Sequence, residues 1–542
     1  MAITEIFHDA ATIAARTQAG DWPGKTLGDY LREHARDRPD KVAIVDRAHR
    51  VTFRELERRA LRVACGFHEL GVRSGDVVSV QLPNWSEWLV VHCGLSLLGA
   101  VTNSIGAMYR RKEVEYILNY AESRMLVIPD VYRGFSHVEM IAEIWPTLPS
   151  LKDVLVVGDT TPTPMRSFAE FEATPWETGS EAVVNAIDVD PNSIATLMFT
   201  SGTTANPKGV MHTHNTIGAG SEQAEGAYGL TSEDVVFMAS PIGHTTALLV
   251  GARIPVMYGM TTVWQEHWNP EEAIDLIAAE GCTFTLSATP FLYGLVHSAN
   301  ATRERLKTLK TFACGGAPIP RDLIRQAESE YGFLVSAVYG SSEALLNSLI
   351  TADDPSESRY ATDGKLIHGV GARLVDVDES GEGELQIQTP ALYAGYYKDA
   401  EHTAEVVDRD NWYSTGDLCT LVDDYVSVVG RKKDMIIRGG ANISAREIEE
   451  LLFTHPKIAT VACVAMPDPV LAERVCAYVV CESGVSLEFG EMIDYLRDKQ
   501  VSAWKLPERL EIREAFPMTP SGKIQKFLLR DEIAEMLERE SG

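Results

Sequence analysis

Short β-branched and aliphatic runs alternate with longer stretches of helical periodicity through most of the chain. Val42–Val45, Val77–Leu82, Met125–Ile128, Val154–Val157, Ile194–Phe199, Val235–Met238 and Thr283–Leu286 read as strands. An apolar stretch from Ser86 to Gly99 and the segments Pro270–Glu280 and Pro320–Tyr331 read as helices, with proline well suited to a first helical turn. Such alternation predicts parallel sheets covered by helices. From about residue 371 the texture changes to short strands with Gly and Asp turns (ARLVDVDESGEGELQIQ), as in a small β-subdomain. Near 430 comes a charged, Gly-led GRKKD, and a compact α+β pattern restarts. It holds a helix at Ser444–Phe453, strands at Ile458–Met466 and Arg474–Cys481, and a helix at Ser486–Lys499. The last helix, Lys526–Glu538, carries Phe527, Leu528, Ile533, Met536 and Leu537 on a rough stripe that reads as packing. The expected fold is α/β. A large N-terminal domain of helix-covered sheets with a β-subdomain spans 1–430, and a small C-terminal α+β domain spans 431–542.

At 542 residues, 45% hydrophobic and 23% charged, the chain has the make-up of an ordinary soluble protein of two or more domains. Its 77 acidic and 49 basic residues leave a net charge of −28. A surface so acidic repels nucleic acid and anionic membrane, and an anionic ligand must find a locally basic cleft. No run approaches the ~18 apolar residues of a membrane span. The first 25 residues lack the basic start and apolar core of a secretory signal. Eight cysteines (65, 93, 282, 314, 419, 463, 476, 481) are scattered with no C-x-x-C, which argues against a disulfide framework or zinc ribbon. A cytoplasmic enzyme is expected, and a homo-oligomer is left open.

The most informative segment is Thr200-Ser-Gly-Thr-Thr-Ala-Asn-Pro-Lys-Gly209, directly after a strand. Glycine lets backbone N–H groups approach phosphate oxygens, the hydroxyls add donors, and Lys208 supplies a point charge. It is not a Walker A loop: Pro207 stands at the second Gly position and Gly209 at the Ser/Thr position.

Read onward, the segment resembles the signature of the adenylate-forming superfamily, which includes acyl-CoA synthetases, peptide-synthetase adenylation domains and luciferases. Tyr339-Gly-Ser-Ser-Glu343 resembles the family's Y-G-x-T-E, with Ser342 keeping the hydroxyl of the usual Thr. Tyr413-Ser-Thr-Gly-Asp417 is similar to Y-x-T-G-D. The stretch Gly430-Arg-Lys-Lys-Asp-Met-Ile-Ile-Arg-Gly-Gly-Ala-Asn-Ile443 is similar to G-R-x-x-D-x-I-x-x-x-G-x-N-I, followed by Glu447 and Glu449. Pro520-Ser-Gly-Lys523 is similar to P-x-x-G-K. All five motifs occur in family order across essentially the whole chain. One departure is Ala445, where the family usually has Pro.

The resemblance implies a two-step reaction. A carboxylate is a poor electrophile; transferring it to the α-phosphate of ATP makes an acyl-AMP, from which a thiol displaces AMP. It implies that Thr200, Ser201, Gly202, Thr203, Thr204 and Lys208 hold the β- and γ-phosphates. Glu343, with the Thr200 hydroxyl, would ligate Mg²⁺. Tyr339 would stack on adenine, with Gly340 and Ser342 beside it and the Gly315-Gly316-Ala317 backbone along the base. Asp417 would accept from the ribose hydroxyls, and Arg431 would contact ribose or phosphate. Lys523 would bridge carboxylate and α-phosphate during adenylation. The C-terminal domain would be mobile, turning about a hinge at Lys433 between half-reactions. It would then bring Arg438, Gly439 and Gly440 to the pantetheine arm of CoA. Arg431, Lys432, Lys433, Arg438, Lys523 and Lys526 would give the acidic chain a local positive field.

The acyl pocket is expected around Pro241-Ile-Gly-His244-Thr-Thr246, Ala288-Thr-Pro290 and Cys314-Gly-Gly-Ala317, with His244, Thr245, Thr289 and Gly315 as lining candidates. No Asp for an α-ammonium and no Arg for a second carboxylate stand out there. A neutral acid is therefore expected, in the manner of cyclohexanecarboxylate–CoA ligases and short- to medium-chain fatty acid synthetases. The expected function is an AMP-forming carboxylate–CoA ligase using Mg²⁺, ATP and CoA. The alternatives are an enzyme loading an acyl-carrier protein, a nucleotide-binding sensor without turnover, and luciferase-like oxygenation.

Overall fold

The structure is a computed structural model that describes residues 6–47, 49–200, 207–439, 441–519 and 524–541. Among these residues the N-terminal part is built on two large sheets. The first runs in the order Lys208–Thr213, Ile194–Thr200, Val101–Ser104, Val77–Val80, Met125–Pro129, Asp153–Val157, Arg166–Ser167. All its neighbours are parallel except the hairpin at one edge, where Thr200 pairs with Lys208. Every residue of Met125–Pro129 is buried, so these strands read as continuous apolar runs rather than as an alternation.

The second sheet has thirteen strands. Val42–Asp46, Thr261–Trp264, Val235–Met238, Phe284–Ser287, Thr311–Gly315 and Leu334–Ser341 form its parallel half. Beyond Leu334–Ser341 the sheet continues antiparallel through Leu345–Leu349 and Lys365–Leu366, and the strands of the β-subdomain complete it. In that subdomain Gly383–Gln388 alternates buried and half-buried positions, the mark of a sheet with one wetter face. The helix Ser86–Leu98, apolar on all sides and buried from Trp88 to Leu98, lies in the largest core cluster. Gly99 ends it in the left-handed region at φ 68°.

A short 3₁₀ turn, Lys432–Asp434, carries the chain from Tyr425–Arg431 of the large sheet to Ile436–Arg438 of a separate five-stranded sheet. That sheet and its helices form the small C-terminal domain. Ser444 caps the helix Ala445–Phe453, accepting from the Glu447 N–H, and donates to the Val429 carbonyl at 2.7 Å, which ties the helix start to the large sheet. The terminal helix, Lys526–Ser541, departs from the expected stripe: Leu528 is 40% exposed, whereas Leu529 and Ile533, one turn apart, are buried. No helix among the described residues is long and apolar enough to cross a membrane.

Candidate functional site

Between the large sheets and the small domain lies a cavity of about 1040 Å³. The parallel strands end at it, as expected for ligand sites in open α/β sheets. Thr200 and Lys208 stand at the base of the phosphate-loop hairpin on one wall. Ser201, Gly202, Thr203 and Thr204 fall outside the described residues. Lys208 Nζ lies against His402 Nε2 and 5.3 Å from the Tyr396 ring centroid. His402 in turn stacks on Tyr396 and hydrogen-bonds Glu405 through Nδ1 at 3.0 Å. Neither His402 nor Tyr396 belongs to a motif, and the sequence carries no signal for them beyond an unremarkable short helix, Ala400–Val406.

Glu343 sits in the tight turn between Leu334–Ser341 and Leu345–Leu349, and its Oε1 accepts from the Tyr396 hydroxyl at 2.8 Å. Burial and the neighbouring Glu343 push the Tyr396 phenol far above its ordinary range, so it remains a donor. On another wall the Tyr339 hydroxyl donates to Asp417 Oδ2 at 2.7 Å, and Arg431 Nε donates to Asp417 Oδ1 at 2.9 Å. The Asp417 charge holds the Arg431 guanidinium above its usual range. Antiparallel pairing of Asp417 with Arg431 sets this contact. Gly316, Ala317, Gly340 and Ser342 line the same cavity.

On the remaining side His244, Thr245 and Thr289 reach the cavity. Thr245 Oγ1 is 2.7 Å from Ser342 Oγ, and Thr289 donates to the Pro318 carbonyl at 2.9 Å. Gly315 does not line it. A Cβ there would come within 2.4 Å of the Val338 carbonyl oxygen, so this glycine serves the close approach of two strands.

The small domain closes the cavity with Lys433, Met518, Thr519, Ile524, Gln525 and Lys526. Lys523 itself lies outside the described residues, flanked on both sides by these cavity residues. Burial and the Arg431 charge lower the Lys433 ammonium. Arg438 and Gly439 do not line the cavity: Arg438 pairs with Glu508 at 2.8 Å, and Gly439, at φ 58°, donates its N–H to the Leu471 carbonyl at 2.7 Å. Gly440 is outside the described residues. The expected basic cluster is largely neutralised by the protein's own carboxylates. Lys432 pairs with Glu384 at 2.9 Å, and half-buried Lys526 pairs with Glu449 at 2.7 Å.

A two-part α/β chain closed around a phosphate-loop hairpin and a Tyr–Asp–Arg wall has the architecture of a nucleotide-dependent acid-activating enzyme. The AMP-binding enzyme family profile matches residues 31–397, and the AMP-binding enzyme C-terminal domain matches 447–523. A medium-chain fatty-acid–CoA ligase of Escherichia coli is 35% identical over 99% of this chain and 95% of its own length. A 2,3-dihydroxybenzoate-AMP ligase of Bacillus subtilis is 32% identical over 96% of this chain and 95% of its own. The crystal structure of ATP-bound MatB from Rhodopseudomonas palustris superposes with TM-score 0.84 at 26% identity, over 94% of this chain and 100% of that one. The chain belongs to the AMP-binding enzyme family of adenylate-forming proteins and is an acid–thiol ligase of the acyl-CoA synthetase type.

Proposed function

We propose that the enzyme activates a neutral carboxylic acid, alicyclic or of short to medium chain length, and transfers the acyl group to CoA. The carboxylate oxygen attacks the α-phosphorus of ATP, pyrophosphate leaves, and the CoA thiolate then displaces AMP from the acyl carbon. One arrangement carries this reading: Lys208 and Glu343 stand on one wall of the cavity that holds the Tyr339–Asp417–Arg431 triangle on another. Lys208 and the loop from Thr200 would take the β- and γ-phosphates, Tyr339 the adenine, and Asp417 the ribose.

Glu343 and the Thr200 hydroxyl are hard oxygen donors suited to Mg²⁺, which would neutralise phosphate charge when bound. Among the described residues no three His, Cys, Asp or Glu side chains gather into a metal site. A single carboxylate fits a cation that arrives on the nucleotide with water and phosphate completing its shell. The proposed domain boundary is 430/431 and the proposed hinge Lys433, a reading supported by the short turn Lys432–Asp434 between the two sheets. Rotation there would carry Arg438 and Gly439 away from Glu508 and Leu471 and bring them, with Gly440, to the CoA channel.

The test is pyrophosphate release with Mg-ATP across C2–C14 fatty, cyclohexanecarboxylic, benzoic and amino acids, with and without CoA. Release that becomes catalytic only with CoA, for one neutral acid class, is the expected result. Brisk turnover of amino acids would overturn the pocket reading. A second reading, transfer to an acyl-carrier protein, is favoured by the likeness to an aryl-AMP ligase. It predicts turnover with a holo-carrier and none with CoA.

A further inference from the structure

Lys208, the expected phosphate lysine, is not alone on its wall of the cavity. Its Nζ meets His402 Nε2, and His402 Nδ1 lies 3.0 Å from Glu405 Oε2. All three residues line the cavity. A lysine ammonium has only protons to give, so Nε2 is the acceptor in this contact. The ring proton then sits on Nδ1 and donates to Glu405, and the tautomer is fixed by the two partners together.

The imidazole is also held independently of Lys208. Tyr397 donates its N–H to the Gly209 carbonyl at 2.8 Å, and Tyr396 forms a bridge with Val210. The segment entering the helix Ala400–Val406 is thereby stitched to the strand that begins at Lys208. Thr403 Oγ1 accepts from the Tyr396 N–H at 2.9 Å, and Asp399 Oδ1 accepts from the His402 N–H at 3.2 Å, which lock the helix onto that segment. The Tyr396 ring stacks on the imidazole with centroids 4.9 Å apart, while its hydroxyl donates to Glu343 at 2.8 Å. His402 therefore has a fixed backbone, a fixed ring plane and a fixed tautomer.

A lysine carries its charge on a flexible four-carbon stem, and a ligand that must immobilise the stem binds more weakly for it. Here the protein restrains the stem before any ligand arrives. One bond to Nε2 leaves two of the three ammonium N–H donors for phosphate oxygens.

We propose that His402 is a positioning residue for the triphosphate, aiming Lys208 at the β- and γ-phosphates through Nε2. This rests on the phosphate reading of Lys208 given above and adds to it a residue outside every motif. The role is confined to one ligand state. AMP and acyl-AMP carry neither of those phosphates, so neither needs the aimed ammonium.

The test measures ATP and AMP binding by calorimetry on wild type, His402→Ala, His402→Gln, Lys208→Ala and the double alanine variant. Glutamine keeps an acceptor for Lys208 in its amide oxygen. His402→Ala is expected to weaken ATP by ~10-fold, the effect of a hydrogen bond to a charged group, and to leave AMP unchanged. His402→Gln should recover most of the loss. On the Lys208→Ala background, His402→Ala should cost nothing further, because the two side chains act through one contact. In turnover, KM for ATP should rise with little change in kcat, and thioester formation from supplied acyl-AMP should keep its wild-type rate. ATP affinity unchanged or tighter in His402→Ala, equal weakening of ATP and AMP, no recovery by glutamine, or additive losses in the double variant would each overturn the proposal. If Lys208→Ala itself leaves ATP binding unchanged, the phosphate reading of Lys208 fails and the role of His402 falls with it. Loss in Lys208→Ala without loss in His402→Ala overturns the role of His402 alone. These binding measurements need no acid, so they decide the matter even if no acid releases pyrophosphate.

Discussion

Lys523→Ala is expected to lower acyl-adenylate formation by ~10²–10³-fold, the usual cost of removing one donor aimed at transition-state charge. Thioester formation from supplied acyl-AMP and CoA should survive. The expectation follows from where the chain brings this loop. Met518 and Thr519 before it, and Ile524, Gln525 and Lys526 after it, line the cavity that holds Lys208 and Asp417. An ammonium delivered there can bridge the attacking carboxylate and the α-phosphate as charge builds between them. That charge exists only in the first half-reaction. The check is to time the half-reactions separately, pyrophosphate release for one and CoA consumption from acyl-AMP for the other. Equal loss in both would refute the role.

Glu449→Ala is expected to destabilise the small domain by about 3–5 kcal/mol, the cost of leaving one member of a buried ion pair alone. Glu449 and Lys526 meet at 2.7 Å, with side chains 10% and 25% exposed. Burial works against the Lys526 ammonium, but the Glu449 carboxylate outweighs it and holds the pKa above the ordinary lysine value. Lys526 is also the first residue of the terminal helix, three positions after Lys523. Loosening it should therefore depress adenylation more than thioester formation. Amide exchange over Lys526–Ser541 measures the anchoring directly, and unchanged protection in Glu449→Ala would show that the pair is not an anchor.

Much of the architecture is legible along the chain because its strands are buried on both faces. Met125–Pro129 and Val235–Met238 are apolar runs with no competing period, and Pro270–Glu280 carries both its proline start and its glycine end. Contacts set by tertiary pairing are not legible. Lys432, Arg438 and Lys526 read as a positive field, but their carboxylates come from Glu384, Glu508 and Glu449, 48, 70 and 77 positions away. Gly315 reads as pocket backbone because a glycine needed for strand contact leaves the same letter as one needed for a ligand. Arg253 is hidden for another reason: within ALLVGARIPVM a single arginine looks like a side chain that would reach solvent from a helix face, yet it is only 1% exposed. His402 faces Lys208 across 194 residues of sequence, so spacing says nothing of it.

The cations around the cavity are already engaged before any nucleotide arrives: Lys208 by His402, Arg431 by Asp417, Lys526 by Glu449. A triphosphate entering there exchanges partners with the protein rather than filling a bare positive hollow, so its net Coulomb gain is modest. At longer range the −28 net charge repels the same ligand, and salt screens that repulsion within about 10 Å at 0.1 M. The two effects oppose each other. Nucleotide capture is therefore expected to vary little with ionic strength, which ATP affinity measured across a range of salt concentrations checks, unlike anion binding in an open basic cleft.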